Sequence, residues 1–164
     1  MTRKESGLQI NQDLVFQRRE WAVQRAGWWA LTAFVLAALL GGFGGGPLSS
    51  ARAGSQGSGL WIDYERFVRL GATSRLLVHF GGPSTAAREL RINRDYFESL
   101  RVEQIVPEPE RTVVGAREVT LVFPASAEAF LVILDVQPMK VGSHAARFST
   151  GKEQPPEFRQ FAYF

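Results

Sequence analysis

The sequence predicts a mainly β protein, with an N-terminal transmembrane α-helix followed by an antiparallel β-sandwich. Three observations predict it. No charged residue occurs from Ala26 to Ala51. The composition then changes abruptly at Gly54-Ser-Gln-Gly-Ser-Gly59. Beyond that point, short runs of alternating apolar and polar residues succeed one another between turn residues. A chain of 164 residues accommodates one ordinary domain and an additional segment. With no cysteine, disulfide frameworks, thiol catalysis, cysteine-ligated metal and a lipoprotein anchor are excluded together.

Residues 1–25 form the first segment, expected on the cytoplasmic side. Leu14, Val15, Trp21, Ala22 and Ala26 share a helical side, with Arg18, Arg19 and Arg25 at its edge. That pattern suits an amphipathic helix lying on an anionic leaflet, and equally suits a cytoplasmic extension of the helix that follows.

Residues 26–47 are the predicted span. As a helix, Gly27 to Gly46 reaches about 30 Å, the thickness of a hydrocarbon core. Trp21, Trp28 and Trp29 sit where indoles favour the entry interface, and Gly44-Gly45-Gly46-Pro47 ends the helix on the far side. Arginine again sets the direction: Arg18, Arg19 and Arg25 precede the span and only Arg52 closely follows it, which places the N-terminus in the cytoplasm and the C-terminal domain outside. The expected location is therefore the inner membrane, with a periplasmic domain. Ala33, Ala37, Gly41 and Gly45 recur every four residues and predict a helix-packing face for a second copy or another membrane protein. A competing reading takes Ala51-Arg52-Ala53 as a small-x-small cleavage site, which would require an n-region of about 25 residues, far longer than secretory signals carry.

Residues 48–59, rich in glycine and serine, are expected to form a flexible tether. The β domain then occupies residues 60–164. Leu60 to Leu70 alternates, with Ile62, Tyr64 and Val68 against Asp63, Glu65 and Arg69, although Arg66 and Phe67 break the pattern. Further strands are expected at 74–80, 88–92, 101–106, 118–123, 130–136, 145–149 and 158–164. One short helical turn over 94–100 is expected to be capped by Asn93. Phe130-Leu-Val-Ile-Leu-Asp-Val136 is apolar on both faces, which predicts a central strand whose Leu131 and Ile133 need a cover outside the core. The aromatics Phe158, Phe161, Tyr163 and Phe164 are read as a last strand contributing to the core.

On strand count and turn spacing, residues 60–164 resemble immunoglobulin-like and fibronectin-like modules, without paired cysteines or a diagnostic core tryptophan. The whole arrangement is similar to single-span bacterial envelope proteins carrying such an exported β domain. That likeness brings no function with it.

Catalytic chemistry finds little support. Ser143, His144 and Asp135 are the nearest approach to a nucleophilic trio, but adjacent residues on a strand point to opposite faces. His79 has no second histidine at ligand spacing, and Asp63 with Glu65 are paired carboxylates of the kind solvated strand faces carry. Residues 1–53 hold six basic and three acidic groups, whereas residues 54–164 hold thirteen of each, so the net charge of +3 does not mark a nucleic-acid binder. The expectation is a module that binds another membrane or envelope protein, with no catalytic, cofactor or metal site. The alternative is an exported glycan- or cell-wall-binding domain that uses Trp61, Tyr64 and Tyr96 as stacking surfaces.

Overall fold

A computed structural model describes residues 14–39, 46, 48–151 and 155–164. Helix α1 (Leu14–Leu39) and the β-rich part of the chain are separate units, the second beginning at Ala38.

Helix α1 runs unbroken through Arg25, so from Leu14 onward the polar N-terminal stretch continues directly into the apolar one. Its 26 residues extend about 39 Å. The part from Arg19 to Leu39 is long and apolar enough to cross a membrane, a property that a signal sequence shares. The Arg25 guanidinium lies 4.2 Å over the Trp21 ring one turn earlier, a cation–π contact along the helix. Ala33 and Ala37 are exposed on this helix, while Gly41 and Gly45 lie outside the described residues.

The β unit contains strands β1 (Ser50–Ser55), β2 (Leu60–Glu65), β3 (Phe67–Arg69), β4 (Ser74–Phe80), β5 (Arg88–Asn93), β6 (Leu100–Val106), β7 (Arg111–Val114), β8 (Glu118–Phe123), β9 (Phe130–Pro138), β10 (Gly142–Ser149) and β11 (Glu157–Tyr163). A short helix, α2 (Arg94–Glu98), joins β5 to β6. The strands form a five-stranded sheet, β1-β2-β4-β9-β6, and a six-stranded sheet, β3-β11-β10-β5-β8-β7. The pairing is antiparallel except between β3 and β11, which run parallel, so the expected all-antiparallel arrangement holds for every ladder but that one.

Two departures from the sequence reading have clear physical causes. The supposed tether of residues 48–59 is structured: Ser50–Ser55 is an edge strand in register with β2, and Ser55 and Ser58 form a reciprocal capping box around the 3₁₀ turn that follows. Glycine here serves a tight hairpin rather than flexibility. Gly54 has φ +81°, and a Cβ there would lie 2.4 Å from the Leu60 carbonyl oxygen. The broken alternation at Arg66 is a change of sheet, because the chain leaves β2 in one sheet and enters β3 in the other.

Asn93 does not cap α2 through its side chain. Its Nδ2 donates to the Ala145 carbonyl at 3.1 Å and its Oδ1 accepts from the Arg147 N–H at 2.8 Å. The β5 backbone turns into a helix at this point, and the Asn93 amide supplies β10 with the partners that a longer strand would have offered.

Both sheets contribute to one core. Ile62, Leu76, Val78, Val132 and Leu134 of the first meet Leu90, Ile92, Leu121, Phe123 and Phe148 of the second. At one end Phe80, Phe123 and Phe130 gather, Phe80 edge-on to Phe123 and both tilted against Phe130. Arg88, 7% exposed, covers that end: Nη2 donates to the carbonyls of Gly82, Ser126 and Glu128, and the guanidinium lies over Phe80 and Phe130. At the other end Tyr64, Phe158, Phe148 and Tyr96 pack ring against ring. Tyr96 donates its hydroxyl to Gln160 Oε1, and Gln160 Nε2 donates to the Glu65 carbonyl. Burial pushes the Tyr96 hydroxyl pKa far above the ordinary range, so it stays a neutral donor.

Candidate functional site

The outer face of the five-stranded sheet is built by strand alternation. In β2, Leu60 and Ile62 are buried, which turns Trp61 and Asp63 outward; in β4 the buried Leu76 and Val78 turn Leu77 and His79 outward. In β9 the buried Val132, Leu134 and Val136 leave Leu131, Ile133 and Asp135 facing out. Register then aligns these residues in rows across the sheet. Trp61, His79 and Leu131 are opposed in one row, and Arg52, Asp63, Leu77, Ile133 and Val106 in the next. Arg75, Asp135 and Gln104 form a third. Directly opposed side chains lie about 4.5–5.5 Å apart at Cβ, so each row is a continuous strip of contacts.

The charges on this face are paired with one another. Arg52 grips Asp63 in a two-pronged contact, Nε to Oδ1 at 2.6 Å and Nη2 to Oδ2 at 3.0 Å. His79 Nε2 lies 3.1 Å from Asp63 Oδ2, and the Trp61 ring is stacked on the imidazole at 4.9 Å between centroids with 4° between planes. Arg75 holds Asp135 in the same two-pronged way, at 2.7 and 3.1 Å. The hydrogen bond from Arg52 is the largest influence on Asp63 and holds its pKa below the usual carboxylate range, against a smaller opposing effect of burial. A shallow hollow of about 490 Å³ lies beside these groups, lined in part by Arg52, Asp63, Glu65, Arg75 and Leu77.

Beside the two paired carboxylates lies an apolar group. Leu131 is 40% exposed and Val106 42%, and Leu77 and Ile133, opposed on β4 and β9, are half-buried. The charges of this face are thus neutralised within it, beside exposed apolar side chains. Leu131 and Ile133 therefore lie where the sequence puts them, on the side away from the core.

Other site residues are scattered. Tyr96 is buried in α2, 2% exposed, and Tyr64 stacks on Phe158 with 4.0 Å between centroids. Of the three aromatics expected to form a stacking surface, only Trp61 lies on an outer face. Asp135 belongs to the five-stranded sheet, whereas Ser143 and His144 belong to β10 in the other, with His144 Nε2 held 2.7 Å from the Lys140 carbonyl. The nucleophilic trio is thus not assembled. Among the described residues no three histidine or acidic side chains converge as metal ligands. The Arg52–Asp63–His79 group was missed from sequence because Arg52 sits in the stretch read as a tether. Its only advance signal is the alternation that turns Trp61 and Asp63 to one side.

No protein-family model matches this chain, and no curated protein does. Among solved structures, a β-glucosidase from Listeria innocua in complex with gluconolactone is similar over 75% of this chain and 17% of that chain, at 12% identity and a TM-score of 0.37. A likeness at that level carries neither fold nor chemistry across.

Proposed function

We propose that this chain is a single-span membrane protein whose extracytoplasmic β module binds another membrane or envelope protein. The observation that carries the reading is the open face of the five-stranded sheet, where Leu77, Ile133 and Val106 continue the row of the Arg52–Asp63 pair, Leu131 lies in the row on one side and the Arg75–Asp135 pair in the row on the other. Isolated exposed apolar residues are ordinary on a soluble surface; here Leu77, Ile133 and Val106 are opposed across three strands, with Leu131 two residues along β9, and together they form a patch that calls for a cover. The module is read as a sandwich of the broad immunoglobulin-like kind.

The arginines before α1's apolar stretch support a cytoplasmic N-terminus, and a periplasmic module at the inner membrane follows from that orientation. Ala33 and Ala37 supply half of a small-residue face within the span, through which the same partner or a second copy of the chain packs. The glycan-binding alternative loses two of its three aromatics, Tyr96 to the core and Tyr64 to its stack on Phe158.

A photo-crosslinking residue placed at Leu131 in the full chain in cells tests this. The expected result is a discrete adduct with one protein at position 131, and none from the same group at Val113, exposed on the outer face of the other sheet. Adducts at Val113 with none at 131 would move the recognition surface elsewhere.

A further inference from the structure

The six-stranded sheet carries a second exposed apolar patch, at its β3 edge. Phe67 of β3 and Phe161 of β11 are direct partners in the parallel ladder. Their neighbours Val68 and Ala162 are buried, so both rings point outward, 36% and 46% exposed. The last strand thus contributes Phe158 to the core but not Phe161, since alternation also turns Gln160 and Ala162 inward. Leu48, 52% exposed, precedes Ser49, and the cations Arg66, Arg69 and Arg159 are exposed around the two rings.

The chain enters the β unit at this same place. Ser49 is fully buried, and its Oγ donates to the Phe67 carbonyl at 3.2 Å and accepts from the Phe67 N–H at 3.3 Å. Its own carbonyl accepts from the Arg66 N–H at 2.7 Å, and the Arg66 carbonyl accepts from the Phe161 N–H at 2.7 Å. Residue 49 is therefore pinned to the aromatic pair. In sequence it follows an uncharged stretch that begins at Ala26. Even fully extended, the ten residues from Leu39 to Ser49 span no more than about 35 Å. With α1 as the membrane span, the patch lies where the chain enters the β unit, on a tether of at most that contour.

We infer that the Phe67/Phe161 patch rests on the bilayer, with its rings in the interfacial layer and Arg66, Arg69 and Arg159 among anionic headgroups. Aromatic rings favour that layer, and guanidiniums pair with phosphates there. This inference depends on the reading of α1 as a span. Its consequence is orientation: with the six-stranded sheet against lipid at one edge, the opposite layer's outer face stays free for the proposed protein partner.

The chain has no cysteine, so single labels are unambiguous. Ser143 is exposed and lies directly across from Phe161, whereas Val113 lies on the same face three strands across and six residues along, about 25 Å away. A fluorophore is attached at S143C or V113C in the full chain, reconstituted in phosphatidylethanolamine/phosphatidylglycerol vesicles containing a headgroup spin-labelled lipid. Quenching at 143 is expected to be at least twofold stronger than at 113. The pair F67S/F161S should bring it down to the level at 113 while the chain still resists carbonate extraction. Equal quenching at both positions in a carbonate-resistant chain overturns this inference and leaves the span intact. Carbonate extraction of the chain overturns both. Protection of position 143 from an aqueous quencher in cell membranes, with none in pure lipid vesicles, would assign the patch to a protein and overturn the inference as well.

Discussion

Phe148→Ala is expected to destabilise the β unit by roughly 3–5 kcal/mol, the range for deleting a fully buried aromatic ring. Phe148 has no exposed surface, stacks on Phe158 of β11 at 5.5 Å and meets the Tyr96 ring of α2 edge-on at 6.0 Å, so the ring is enclosed by partners from two other elements. Neighbouring β5 pairs with β10 at Phe148↔Ile92, which limits how far the backbone can collapse into the vacated space. At roughly 4 °C per kcal/mol for a domain of this size, the melting temperature falls by about 12–20 °C. Thermal melting of the full chain in mild detergent, followed by protease susceptibility within the β unit, measures this. A shift under about 3 °C would mean that the two sheets do not share the core described here.

Gln160→Leu is expected to cost roughly 2–4 kcal/mol although it makes the core more apolar. The Gln160 side chain is 2% exposed, accepts from the Tyr96 hydroxyl and donates to the Glu65 carbonyl at 2.9 Å. Leucine fills similar space but leaves both of those groups buried without a partner, and each such orphan costs about 1–3 kcal/mol. Adding Tyr96→Phe removes one orphan, so the double variant should be more stable than the sum of the two single effects predicts. Chemical denaturation of the four proteins in the cycle measures this coupling, which is expected to exceed about 0.5 kcal/mol. Strict additivity would show that the Tyr96–Gln160 contact contributes nothing to the fold.

The strands that were legible in the sequence are those with a strong apolar alternation or a two-faced apolar run, such as Leu76–Phe80, Glu118–Phe123 and Phe130–Val136. These runs carry their burial in one dimension. Strand β1 was hidden because Gly54, Gly57 and Gly59 look alike whether they loosen a linker or permit a hairpin, and only the approach of the Leu60 carbonyl distinguishes the two. Strand β7 was hidden for another reason: Arg111–Val114 is an edge strand with all four residues exposed, so it shows no inward stripe. Tyr96 was misjudged because a five-residue helix is too short to display a period, and its ring is drawn inward by Phe148 and Phe158.

The candidate recognition face was half legible. Leu131 and Ile133 stand out because β9 is apolar on the side its sheet does not bury. Arg52, Asp63 and His79 come from three strands, and what unites them is register, which a single strand's sequence does not contain. The same applies to Phe67 and Phe161, ninety-four residues apart in sequence and adjacent in the ladder.

The central claim is that α1 is retained as an anchor and that the β unit lies outside the cytoplasm. The most direct test places a single cysteine at Met139, 46% exposed in the β9–β10 turn, in an otherwise cysteine-free chain. Spheroplasts are treated with a membrane-impermeant maleimide and their membranes are washed with carbonate. The account predicts full-length chain that is labelled in intact spheroplasts and remains with the membranes. Labelling that appears only after lysis, or a labelled chain that is soluble and begins at Gly54, would contradict it.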